Sequence, residues 1–482
     1  MITLLAPALL STALLAQPTM TLEPMPIRTL VITGRNNHNW QYTSRVHADT
    51  LAATGRFNVD ITDDPATTLA DAAAAGKYQL FVLDYNDWGA DKRWGDAAEG
   101  NFVNAVKNGA GILAIHSANN AFKGWKDYES MLGLMWRDGT GHGPVHEFTV
   151  NVVEPTHPVF AGLPASFTTT DELYYKLVNS QNAKYRLLAQ AMDKAPPDGS
   201  GKNEPMAFTL DFGKGRVFAT PLGHVWVDAI ETKASVTNPT FKSMISRGGE
   251  WAATGAVTLP AQWKDVRAHN TLTDQEKSDG WKLLFDGKTS KNFRGFKKEN
   301  FPDKGWVVRD GMLVHEKDGG GGDVITDDEY TDFEFSCQWR VTPGANSGII
   351  YHSTEDHNYP WETGPEMQIL DDAKHADGKN KLTRAGTLYA IVPTAFDVCR
   401  PAGEWNEARV KCVGSKVEHW LNGFKVVEID IAGDDYIKAR DASKFKSMKD
   451  YNTKAKGHIA LQDHGDEVAF RDIKVRVLGK EP

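Results

Sequence analysis

The segment GPEMQILDD (364–372) sets Glu366 and Gln368 two positions apart. In an extended strand, residues i and i+2 project from the same face. This pair would therefore present an acid beside an amide, with Met367 and Ile369 turned to the opposite, apolar side. DFEFSCQWR (332–340) repeats the pattern, with Glu334, Ser336, Gln338 and Arg340 opposed to Phe333, Phe335, Cys337 and Trp339. HIALQDH (458–464) adds His458, Gln462 and His464 opposite Ile459 and Leu461. A solvent face is usually richer in Lys, Thr and small polar residues. Glu, Gln, Arg and His grip hydroxyls and move protons.

Glycoside cleavage commonly needs two acid–base groups flanking one glycosidic bond. Jelly-roll β-glucanases supply them as an acid-x-acid pattern on one strand. Here the second place holds the amide of Gln368, so a standard retaining pair is incomplete. Two other readings stay open: a conventional jelly-roll glycoside hydrolase, and a non-catalytic face that binds carbohydrate. Trp361, Trp420 and Tyr351 are candidate platforms for stacking a sugar ring.

A second group of reactive side chains lies in the first half. His38, His116, His142, His146 and His224 fall at or near the ends of apolar runs or in the loops between them. GAGILAIHSANNAF (109–122) puts His116 where a strand gives way to a helix. Nucleophile-elbow enzymes carry Ser or Cys at that place, so acyl transfer through such a residue is not supported here. A metal or sugar site using His38, His116, His142 and His224 is one reading, and loop-bonding histidines the other. The spacing of four between His142 and His146 would suit a helix, but the glycines at 139, 141 and 143 oppose one.

The elements that must hold these groups change character along the chain. RTLVIT (28–33), QLFVLD (79–84), GILAI (111–115) and GRVFAT (215–220) are short apolar runs with helical patterns between the first three. That alternation predicts a parallel sheet covered on both faces, over 26–255. Residues 256–272 are polar and weakly patterned and read as a linker, with a short helix before residue 280. From 273 to 482 the period is two and the turns are rich in Gly, Asn and Asp, which predicts an all-β sandwich.

Composition bounds the rest. The net charge is −9, with Lys+Arg 54 against Asp+Glu 63 and no basic block. Nucleic-acid binding requires a positive surface, so no nucleic-acid partner is expected. Three cysteines give no disulfide framework or zinc-finger spacing; Cys399 and Cys412 form a pair or remain buried thiols. Ile2–Ala16 is an apolar run of signal-peptide length, too short to span a membrane. With residues 1–25 as a leader, the protein is expected in the periplasm or outside the cell, and in the cytoplasm if the run is not a signal.

The order of motifs resembles two families. LVITGRNNHNW, GAGILAIHSA, GHGPVHEFTVNV, PTHPVFAGLP, DELYY and GKGRVFATPLGH resemble the trehalose-utilisation (ThuA-like) family. The resemblance implies the flavodoxin-like α/β fold of the class I glutamine amidotransferases without their cysteine. TDQEKSDGWKLLFDGKT, NSGIIYHS, GPEMQILDD, GEWNEARV, VEHWLNG and GHIALQDHGDEVAFRDIKV resemble the 3-keto-disaccharide hydrolase domain family. That likeness implies a concanavalin-like jelly roll that cleaves glycosides already oxidised at C3 by a separate sugar C3-dehydrogenase. Relatives often carry Arg near the end of the NSGI strand, where this chain has His352. On that basis Glu366 and His464 are expected as acid and base. Gln368, Arg340 and His352 would orient the ring or polarise the ketone, with Glu334, Gln338, Trp361, Trp420 and Gln462 completing the binding face. A divalent metal ion, with Glu366, His464 and His352 as its candidate ligands, is a further expectation. No nucleotide cofactor is expected.

Overall fold

The structure is a computed structural model that describes residues 25–87 and 92–479. The apolar run Ile2–Ala16 lies outside the described residues. No helix among them is long and apolar enough to cross a membrane.

The first body is built on a nine-stranded sheet. Its order is Phe57–Thr62, Ile27–Ile32, Leu80–Leu83, Gly111–Ile115, Gly215–Thr220, Asn203–Phe212, Tyr185–Met192, His146–Val152 and Ser166–Asp171. The first five strands run parallel to one another, and the remaining pairings are antiparallel. The strand–helix pattern therefore predicts only half of this sheet correctly. The other half has no crossover helices, and its strands are linked by turns. Helices Trp40–Ala52 and Pro239–Thr254 cover one face, and Asp96–Lys107 and Lys126–Leu132 the other. Each side has its own core, around Leu113, Phe218 and Ile245 on one and Phe81, Phe102 and Val217 on the other. GRVFAT, last in sequence, sits centrally in the sheet beside Gly111–Ile115.

The second body is an antiparallel sandwich. One sheet holds Trp306–Arg309, Met312–His315, Val468–Val477, Phe333–Val341, Asn406–Val413, Lys416–Leu421 and Phe424–Asp430, with Lys282–Leu283 paired to Val468–Val477. The other holds Phe293–Gly295, Val324–Thr326, His458–Leu461, Asn346–Ser353 and Glu366–Leu370. Alternation sends Phe333, Phe335, Cys337 and Trp339 from one sheet, and Ile349, Met367, Ile369 and Ile459 from the other, into one core. All three cysteines are free and buried, so Cys399 and Cys412 are not bridged.

The stretch between the bodies is strapped down rather than loose. Trp263 donates from its indole to Thr50 O at 3.0 Å, and Arg247 holds the Leu259 carbonyl at 2.5 Å. The short helix of this region is Asp274–Ser278, closed by a capping box between Thr273 and Glu276. The bodies also meet directly. Lys233, fully buried, pairs with Asp397 at 2.6 Å and donates to Cys399 O at 2.9 Å. Asn39 Nδ2 donates to Asp397 O at 2.7 Å, and Arg384 reaches Asp228 at 2.8 Å. Removing one member of a buried ion pair strands the other, at a cost of about 3–5 kcal/mol. Lys233→Met is therefore expected to weaken docking of the bodies. Calorimetry should resolve two thermal transitions in the variant, and an unchanged single transition would contradict this role for the pair.

Candidate functional site

Glu366 opens the strand Glu366–Leu370 and is 6% exposed. Its neighbour Asn346–Ser353 pairs Gly348 with Gln368 and Ile350 with Glu366. The Glu366 side chain leans across Gly348, where an added Cβ would lie 2.0 Å from Oε1. Only glycine leaves that space. Gln368 turns its amide nitrogen to Glu366 Oε1 at 3.0 Å and to Ser347 O at 3.1 Å. In that orientation its amide oxygen faces Asn346 at 3.3 Å, and Asn346 lies 3.5 Å from His464 Nε2. Glu366, Gln368, Asn346 and His464 thus form one polar line across the outer face of the five-stranded sheet.

Three further segments close on that line. Tyr389 donates its backbone N–H to Glu366 O, and its hydroxyl donates to Asp377 at 3.3 Å. Lys444 Nζ stands 4.4 Å from the Tyr389 ring centroid and 5.5 Å from that of Trp361. Trp361 stacks on Tyr359 at 5.6 Å, and Tyr359 is 54% exposed. Burial pushes the Glu366 carboxyl up to about 8. The Lys444 charge opposes that shift, while Asp323 and Asp377 reinforce it. Such a group exchanges a proton near neutral pH, as a general acid or base should. Asp377, Tyr389, Lys444 and Asn346 escape the sequence reading. All but Asn346 sit in loops or short turns without strand alternation, and Asn346 lies in the NSGI motif, two residues before Gly348.

Other predicted residues are placed elsewhere. Glu334, Gln338 and Arg340 occupy the outward face of the other sheet, with the core between them and Glu366. Glu334 pairs with Arg409 at 2.8 Å and with Arg476, Gln338 accepts from Arg471 at 2.8 Å, and Arg340 lies over Trp405 at 4.8 Å. Trp420 shares that face beneath Arg409, 4.2 Å away. Identical alternation on two sheets does not bring their polar faces together, because a sandwich turns them apart. Tyr351 is in the core, its hydroxyl 3.0 Å from His419 Nε2. His352 sits at a bulge with φ +52° and bonds Thr331 O at 2.9 Å. It does not join Glu366 and His464, so these three do not form the expected metal set. Gln462 follows the strand His458–Leu461 and bonds Gly348 O through its backbone, 3.0 Å away.

In the first body the predicted histidines do converge. His38 follows Ile27–Ile32, His116 follows Gly111–Ile115 and His224 follows Gly215–Thr220, so all three lie beyond the carboxyl ends of parallel strands, where open α/β sheets bind ligands. Gly223, at φ +115°, permits the close approach: a Cβ there would meet Ile115 at 3.0 Å and His116 at 3.7 Å. His38 Nε2 is 3.3 Å from His116 Nε2, and His224 Nε2 is 3.4 Å from Glu172 Oε1. His142, more exposed, reaches Glu172 at 3.3 Å. Burial pushes His116 down to about 3 and His224 to about 2, so both rings are neutral. Burial and neighbouring Asp171 raise Glu172 to about 8. Glu172 is the member the sequence reading missed, although it lies in the DELYY motif. The group His38, His116, Glu172 and His224 could hold a metal ion, its donor atoms all lying within 4.8 Å of one another.

Comparison with known proteins matches both bodies. A family model described as trehalose utilisation (ThuA) covers residues 28–252, and one described as a 3-keto-alpha-glucoside-1,2-lyase-like domain covers 280–476. A 3-keto-disaccharide hydrolase of Bacteroides thetaiotaomicron is 33% identical over 231 residues, 42% of this chain and 79% of its own. A provisionally assigned glycosyl hydrolase of Parabacteroides distasonis is similar at 32% identity, covering 44% of this chain and 100% of that one, with TM-score 0.41. A provisionally assigned ThuA-like protein of Parabacteroides merdae is similar at 34% identity over 49% of this chain and 93% of that one, with TM-score 0.43.

Proposed function

The chain belongs to the 3-keto-disaccharide hydrolase family through its C-terminal body and carries a trehalose-utilisation domain before it; from that premise we propose that it cleaves glycosides oxidised at C3, using Glu366 as the base. The observation that carries this reading is one buried carboxyl with its proton affinity raised to about pH 8, with an amide where a second carboxylate would stand. A ketone at C3 acidifies the proton on C2. Glu366 removes that proton, the C1–O bond breaks, and the electron pair closes a C1–C2 double bond. The departing oxygen takes a proton from His464. Water then adds at C1 and C2 regains a proton, so the sum is hydrolysis.

The remaining residues have supporting parts. Gln368 and Asn346 hold the carboxyl and the imidazole in register. Lys444 offers positive charge to the enolate oxygen, and Trp361 with Tyr359 provides the stacking surface for the ring. The oxidised substrate would come from a separate C3-dehydrogenase acting on the free glycoside.

Two pH effects follow. Because Glu366 must be ionised to act as the base, its titration near 8 should set the ascending limb of kcat/KM against pH. Stability should run the other way. The unfolded carboxyl ionises near its ordinary value of 4.5, while the folded one keeps its proton to about 8. Folding therefore takes up a proton at this carboxyl between those limits, and its contribution to stability falls as pH rises across them before levelling. Urea melts from pH 4.5 to 9 on the parent and on Glu366→Gln isolate that contribution, and the variant's slope should differ by about one proton's worth. An equal slope in both proteins would assign it to other groups.

A further inference from the structure

We infer that the first body binds one borderline divalent cation, of the Zn²⁺ class, through His38, His116, His224 and Glu172, as a second site separate from the Glu366 site. The argument begins with proton positions. His116 Nδ1 lies 2.8 Å from Pro221 O, which can only accept, so Nδ1 carries the proton and Nε2 the lone pair. His38 Nδ1 lies 3.0 Å from Asn36 Oδ1. That oxygen also accepts from Ser117 Oγ and from the His38 backbone, so it is an acceptor there as well. Two lone pairs therefore face each other across 3.3 Å in a buried pocket. Tyr174 OH, 2.9 Å from His116 Nε2, brings one proton to that pair. His224, 0% exposed, has neither ring nitrogen hydrogen-bonded.

Such an arrangement is costly unless a cation lies between the nitrogens. Ligands of a tetrahedral zinc ion at its usual bond lengths stand roughly 3.4 Å apart; two of the separations here have that length, 3.3 Å and 3.4 Å, and the whole donor set lies within 4.8 Å. The outer partners complete the pattern. Imidazole ligands usually donate their other N–H to a carbonyl or carboxylate, as His116 and His38 do here to Pro221 and Asn36. Asp171, buried beside the cluster, accepts from the backbone N–H groups of Gly223, His224 and Glu172 and so fixes two of the ligand-bearing residues. Among the described residues no Lys or Arg ion pair reaches Glu172 or Asp171. Three imidazoles and a carboxylate favour Zn²⁺ and its neighbours over Mg²⁺. His142 and Trp226, each 38% exposed, form the outer rim.

Full-length protein, stripped with a chelator and titrated with Zn²⁺, Co²⁺ or Mg²⁺, tests this. Zn²⁺ should bind at about one equivalent per chain, Co²⁺ should give visible absorption bands of low coordination number, and Mg²⁺ should not compete. His38→Gln and His224→Gln should weaken Zn²⁺ more than about 100-fold, whereas Glu366→Gln should bind as the parent does. Failure of the parent protein to bind Zn²⁺ or Co²⁺ would overturn the inference, whatever the variants do. So would unchanged affinity in both histidine variants.

Discussion

Glu366→Gln is expected to lower kcat on a 3-keto glucoside by about 10³-fold, within the 10²–10⁴ range that a general base contributes, while KM stays within a few-fold. The substitution keeps the shape and the contact to Gln368, so the fold should be retained. Steady-state kinetics with matched circular dichroism would check it. A variant that turns over at the parent rate would remove Glu366 from the chemistry. A parent protein that binds the sugar without turning it over would favour a carbohydrate-binding role instead.

The second large effect is expected at a residue with no side chain. A methyl group at position 348 would sit 2.0 Å from Glu366 Oε1 and 2.7 Å from its carboxyl carbon. The carboxylate is the far end of a flexible chain, so it can swing aside without unfolding the strand. Gly348→Ala should then displace the base by about an ångström, a shift that costs roughly 10²-fold in rate. Melting temperature should change little. Full activity in Gly348→Ala would show that the carboxylate works from another position.

How much of this was legible in the sequence depends on the kind of signal. The period-two runs at Phe333–Val341 and Glu366–Leu370 announce strands and correctly divide core from polar residues. They do not say which of two sheets each strand joins. Glu334, Arg340 and Trp420 therefore look like partners of Glu366 but lie beyond the core from it. His352 also misleads, because a bulge at 350–353 breaks the alternation that would aim it. Tyr389 and Lys444 come from irregular segments, where no periodicity records direction. The histidine cluster was readable in part because strand ends in an open α/β sheet share one edge. The acid that completes it, Glu172, follows an antiparallel strand that the strand–helix pattern does not reveal.

The two sites are joined through the interface. Lys381, Arg384 and Asp397 lie in the same loop of the second body as Tyr389, which touches Glu366. Their partners Asp228 and Lys233 lie in the segment that follows His224.

The dependence on prior oxidation is tested most directly by the rate at which full-length protein cleaves a 3-keto glucoside and its unoxidised parent under identical conditions. Rapid release of the aglycone from the 3-keto compound alone is the predicted result, since only the ketone makes C2 acidic enough for one carboxylate to deprotonate. Comparable cleavage of the unoxidised glucoside would contradict the account.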